Sequence, residues 1–152
     1  MPPSSPGAAG PAPSLLYAVK QVELVVRSHL DDLLRECGVT ALQYTALTVL
    51  QRREGLSSAE LARNSFVTPQ AMADLVAGLE RRGLISRQRD PHNRRRLLTG
   101  LTPAGHELLA HMQGPVAALE QRMVRALLPQ EREQLRDLLN RCRSALAREP
   151  AR

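Results

Sequence analysis

Seven arginines fall between Arg81 and Arg96 against a single acid, Asp90, whereas the rest of the 152-residue chain balances fourteen basic against fourteen acidic residues. The net charge of +6 is therefore concentrated in one short segment. A guanidinium is permanently charged, weakly hydrated and shaped to fork around phosphate oxygens, so such a cluster suits a polyanion. Nucleic acid is the leading partner. Residues two apart share a face of an extended strand, which puts Arg87 with Arg89, and Arg94 with Arg96, and sets Arg95 on the opposite face. All five are candidate contacts to a duplex.

A second group of polar residues lies just upstream. Thr68 is a good helix N-cap and Pro69 suits the first helical turn. Met72, Leu75, Val76 and Leu79 then recur at helical spacing, so they must face a core. Thr68, Gln70, Ala71 and Asp74 are left on the opposite side. The Gln70 amide can pair bidentately with adenine, Ala71 can touch a thymine methyl, and Thr68 can bond phosphate or a base edge. Asp74 is repelled by phosphates unless it accepts from cytosine or pairs internally.

The elements that position these residues are legible from periodicity and punctuation. An apolar stripe of Leu15, Val19, Val22, Val26, Leu30, Leu33 and Leu34 predicts a first helix that Gly38 ends. Thr40 caps a second, with Leu42, Ala46, Leu47 and Leu50 recurring before Glu54-Gly55. Ser57-Ser58-Ala59-Glu60 has the form of a capping box opening a two-turn helix to about Asn64. The segment Leu84 to Arg89 reads as a strand, Asp90 to Asn93 as a turn, and Arg94 to Leu101 as a returning strand. Thr102-Pro103 opens a long helix to about Leu127, which Pro115 should interrupt. A last helix from Pro129 carries Leu135, Leu138, Leu139, Cys142 and Leu146 on one face, with Glu131 and Glu133 near its positive end.

Length and composition agree with a helical fold of one domain, or of one domain with an appended helical module. The chain is 43% hydrophobic, enough for a core, and that core must be Leu, Val and Ala, since there are no Trp, one Phe and two Tyr. So few aromatics argue against single-strand binding, which uses stacking platforms. Residues 1–13 hold five prolines, two glycines and two serines without a charge, the composition of a disordered arm; residues 148–152 read as a disordered tail. The chain shows no secretory signal and no apolar run long enough to span a membrane, so a cytoplasmic location is expected, without membrane association.

Helix, turn, helix and a basic hairpin, in that order, resemble the multiple-antibiotic-resistance regulator (MarR) family. The matching residues are Leu61-Ala62, Val67-Thr68-Pro69, Leu79-Glu80-Arg81-Arg82-Gly83-Leu84-Ile85, Asp90-Pro91, Asn93-Arg94-Arg95 and Leu101-Thr102-Pro103-Ala104-Gly105, and the resemblance covers residues 15–147. It implies a mainly α fold with a small β-hairpin wing: a winged helix-turn-helix over 38–102, and dimerisation helices over 14–37 and 103–147. It further implies a homodimeric bacterial repressor that binds a pseudo-palindromic operator in double-stranded DNA and is released by a small-molecule effector. Leu15, Val19, Val22, Leu135, Leu138, Leu139 and Leu146 are then the dimerisation residues, although the same stripes would also serve as ordinary core.

Two departures from the family pattern bear on the site. The family commonly places Arg where this chain has Asp74. At the wing tip the family's Asp–Arg pair, in which the acid braces the arginine entering the minor groove, is matched by Asn93 and Arg94, so Asp90 is expected to take over the bracing.

Other chemistry has weaker support. Cys37, at the end of the first helix, is a candidate redox residue because some family members sense oxidants there, but Asp31, Asp32 and Glu36 surround it and favour a plain thiol. Cys142 reads as a buried small hydrophobe. His106 and His111 are five apart and cannot chelate together; Glu107 and His111 are four apart and could, with Glu36 or Cys37, though a solvated helix face accounts for them. No metal and no cofactor are expected. A basic module for structured RNA or protein would leave the capping box and the flanking stripes without a purpose, and no catalytic grouping marks an enzyme.

Overall fold

The computed structural model describes residues 10–12, 14–65 and 67–147. The arm expected over 1–13 lies outside these residues except for 10–12, and the tail over 148–152 lies outside them entirely. The described chain runs α1 (Leu15–Leu34), a 3₁₀ turn (Arg35–Cys37), α2 (Ala41–Arg52), α3 (Ser58–Ser65), α4 (Pro69–Arg81), β1 (Ile85–Asp90), β2 (Asn93–Leu101), α5 (Pro103–Met123) and α6 (Pro129–Ala147). It is mainly α with one antiparallel hairpin, as expected. Two compact units divide within α5, between Leu108 and Leu109.

In the first unit Thr40 caps α2 as predicted, and further side chains close the helix starts. Ser14 accepts from the Tyr17 N–H, and Thr40 and Gln43 form a reciprocal capping box on α2. Asp31 reaches over from α1 to accept from the Ala41 N–H at 2.7 Å, satisfying another open amide of that helix. Gly38, at φ +68°, turns the chain between α1 and α2, a conformation that an L side chain adopts only under strain. The core gathers Leu34, Ala46, Leu47, Leu50, Leu61, Met72, Val76, Leu79 and Ile85, all almost fully buried. Leu42 belongs to the predicted stripe of α2 but is exposed, and Ala41 is buried instead.

The hairpin is seated on the helices by backbone bonds: Thr99 exchanges with Leu56 and Gly55, and the Thr102 N–H donates to the Leu84 carbonyl. Thr102 also caps α5, its hydroxyl accepting from the Gly105 N–H and donating to the Gly83 carbonyl.

In the second unit α5 does not break at Pro115; it is helical without interruption from Pro103 to Met123. A proline crowds both the N–H and the Cβ of the residue before it, and here that residue is Gly114, which has no Cβ, so part of the clash is absent. The Glu131 carboxylate caps α6 by accepting from the Leu128 N–H at 2.8 Å.

The stripes read as either interface or core divide: Leu34 at the end of the α1 stripe is core and Leu135 of α6 is half-buried, while the other residues assigned to the interface are exposed. Leu15, Val19 and Val22 are 86%, 56% and 54% exposed. Leu138, Leu139 and Leu146 are exposed too, and α6 has no buried residue. Cys142, expected to be buried, is exposed. No helix among the described residues is long and apolar enough to cross a membrane.

Candidate nucleic-acid interface

Helix α4 presents one apolar and one polar side, as its spacing requires. Met72, Val76 and Leu79 are buried and Leu75 is half-buried, while Thr68, Gln70, Ala71 and Asp74 are exposed. Thr68 uses one hydroxyl lone pair on the cap, accepting from the Ala71 N–H at 3.2 Å, so its hydroxyl proton remains available to a phosphate oxygen. Gln70 and Asp74 stand one turn apart on the same side. Among the described residues Asp74 pairs with no cation, so the internal-pairing alternative does not hold.

The hairpin departs from simple alternation. Its register runs from Ile85 opposite Leu101 to Arg89 opposite Leu97, and then jumps to Asp90 opposite Asn93. Arg94, Arg95 and Arg96 are therefore skipped by the register, an irregularity that re-aims side chains and breaks the two-residue period. Arg95 and Arg96, expected on opposite faces, line one open groove of about 420 Å³ together with Arg87, Asn93, Ser57 and Ser58.

The wing's arginines divide into two sets. Arg87 forks onto Glu80 at the end of α4, at 2.7 and 3.3 Å, and Arg96 pairs with Glu60 of α3. The Arg87 hydrogen bond holds the Glu80 carboxyl below the usual carboxylate range, and the same bond raises Arg87. Arg89, by contrast, donates to the Arg94 carbonyl at 2.7 Å and pairs with no acid among the described residues. Arg94 and Arg95 have no side-chain partner among the described residues.

The expected bracing of Arg94 by Asp90 does not occur. Asp90 instead accepts from the His92 N–H at 2.8 Å, and Asn93 accepts from the Arg95 N–H at 3.2 Å. Both side chains close turns over their own backbone, the local bond that Asx residues form most readily. An acid two residues from an open amide meets it before it can meet a mobile guanidinium.

Sequence reasoning missed the partners that come from far along the chain. Glu80 is seven residues from Arg87 and Glu60 is thirty-six from Arg96, spacings that no local rule connects. It also missed Arg82, whose guanidinium donates to the Cys37 and Gly38 carbonyls and so ties the end of α4 to the turn after α1. Cys37 itself is half-buried. His106 lies 3.5 Å from Glu54, and among the described residues no three His, Cys, Asp or Glu side chains are grouped to hold a metal ion.

Comparison with known proteins places this architecture. A MarR family model matches residues 38–96. The HTH-type transcriptional repressor Rv2887 of Mycobacterium tuberculosis is 37% identical over 128 residues, covering 84% of this chain and 91% of the relative. Its crystal structure in complex with p-aminosalicylic acid superposes with a TM-score of 0.69 at 30% identity, over 86% of this chain and 98% of that one. The MepR–DNA complex of Staphylococcus aureus superposes with a TM-score of 0.78 at 26% identity, over 88% and 99%. On the helix-turn-helix, the basic hairpin and a relative of this identity along most of its length, the chain belongs to the MarR family of transcriptional regulators.

Proposed function

We propose that this chain is a cytoplasmic repressor that binds a pseudo-palindromic operator in double-stranded DNA as a homodimer and is released by a small-molecule effector. The observation that carries the reading is the pairing of an exposed polar face on α4 with a wing whose Arg94 and Arg95 side chains have no partner among the described residues. In this reading residues 38–102 bind DNA, and 14–37 with 103–147 join the two copies through the exposed stripes of α1 and α6. Gln70 reads adenine, Ala71 packs on a thymine methyl, Asp74 accepts from cytosine and Thr68 holds a phosphate. Arg89, Arg94 and Arg95 neutralise backbone or minor-groove charge. The naming of the relative Rv2887 as a repressor, and its structure with p-aminosalicylic acid, support repression and an aromatic acid as the first effector class to test.

Selection from random duplexes should return a site whose half-site centres lie about 10 base pairs apart, since two reading helices related by a twofold axis must meet the same face of the duplex. A selected site without twofold symmetry would count against the dimeric reading. Titrations at several salt concentrations then separate helix from wing. Arg94→Ala should weaken binding to cognate and scrambled DNA alike and make the salt slope shallower by about one unit. Gln70→Ala should cost about 1–3 kcal/mol on the preferred sequence alone. If Arg94→Ala changed base preference and left the slope untouched, the wing would be reading groove shape and the assigned division would be wrong.

A further inference from the structure

We propose that Glu60 and Glu80 are specificity-determining residues that act through the wing, each holding one arginine out of the phosphate contact and so limiting attraction to DNA of any sequence. The proposal rests on the DNA-binding reading above. Each acid comes from a different helix of the helix-turn-helix, and each takes one wing arginine: Glu60 on α3 takes Arg96, and Glu80 on α4 takes Arg87. Among the described residues, Arg89 meets only a carbonyl and the side chains of Arg94 and Arg95 meet no partner.

The two sets differ in what they can gain from a duplex. A guanidinium already forked on a carboxylate exchanges one anion for another when it moves to a phosphate, so its contribution to net charge neutralisation is small. An unpaired guanidinium neutralises a phosphate outright and releases its condensed counterion. Non-specific affinity is almost wholly this charge effect, whereas base reading by α4 is independent of it. Silencing two of the arginines therefore lowers binding to random sequence more than binding to the operator, and the ratio between them rises.

Glu60 is well placed to do this without moving. Its backbone N–H donates to the Ser57 hydroxyl oxygen, and its carboxylate accepts from the Ser57 hydroxyl and pairs with Arg96. The acid expected to close a capping box is thus turned from the backbone toward the wing. Glu80 is held by a two-pronged contact in which both guanidinium donors and both carboxylate oxygens take part.

The test uses the full chain with Glu60→Gln and Glu80→Gln, which keep shape and remove charge, and with Glu133→Gln as a control. Glu133 also sits beside an arginine, Arg136, but on α6, so the control makes the same change in net charge without freeing a wing residue. Binding to scrambled duplex is measured across salt concentrations. Each wing variant should steepen the slope by about 0.9 and raise scrambled-DNA affinity roughly five- to tenfold at 0.1 M salt, while operator affinity rises less. Glu133→Gln should leave the slope at its parent value. Unchanged or shallower slopes in both wing variants, with the parent still binding DNA, overturn this proposal alone, as does equal steepening by Glu133→Gln. A parent with no salt-dependent duplex binding overturns the DNA-binding reading as well.

Discussion

A chain carrying Leu15→Asp, Val19→Asp and Val22→Asp together is expected to be monomeric at micromolar concentration and to lose operator binding by roughly 100-fold or more, the scale of what two linked half-sites add over one. The three side chains are more than half exposed in the single chain, so their replacement removes nothing from its core. Burying each of them in a contact between copies would contribute about 1.5–3 kcal/mol, and burying an unpaired carboxylate in its place is strongly unfavourable. The winged segment should melt as before, since its core residues, Leu47, Leu61, Met72 and Leu79 among them, are untouched. Sedimentation and operator titration of the triple variant check both halves. A dimer that persists with operator affinity intact would remove α1 from the interface.

The second large effect is expected at Gly105. A Cβ built there would lie 2.2 Å from the Leu84 carbonyl oxygen and 3.2 Å from Leu101 Cδ2. Backbone cannot yield as a side-chain end can, because Leu84 is fixed from both sides: its N–H donates to the Leu79 carbonyl and its own carbonyl receives the Thr102 N–H. Gly105→Ala must therefore push the start of α5 off the base of the wing, at a cost of roughly 3 kcal/mol, which corresponds to a fall in Tm of about 6–12 °C. Gly100→Ala is the matched control, since a Cβ there meets nothing within 4 Å. Thermal denaturation of the two variants checks the argument; equal melting temperatures would show that α5 can shift without cost.

Gly105 also shows where sequence reading stops short of explanation. The run Leu101-Thr102-Pro103-Ala104-Gly105 was legible as a helix start and as a family feature, yet nothing in it says why the fifth residue should lack a side chain. The reason is a carbonyl from the other side of the hairpin, twenty-one residues back, and it exists only once the strands have paired.

The same division runs through the binding site. Periodicity and capping chemistry are properties of neighbouring residues, so the chain by itself determined the order of helices, the buried side of α4, the exposed set Thr68, Gln70, Ala71 and Asp74, the hairpin, and the concentration of charge upon it. Ion pairs and strand register depend on which distant residues folding brings together. Only the tertiary structure decided that Arg87 and Arg96 face acids of the helix-turn-helix while Arg94 and Arg95 pair with none of the described side chains, that Asp90 closes a turn rather than bracing Arg94, and that a register shift overrides the alternation of Arg94, Arg95 and Arg96. A guanidinium on a flexible stem can reach several ångströms in any direction, so its partner is set by the packing around it and leaves no trace in the local sequence.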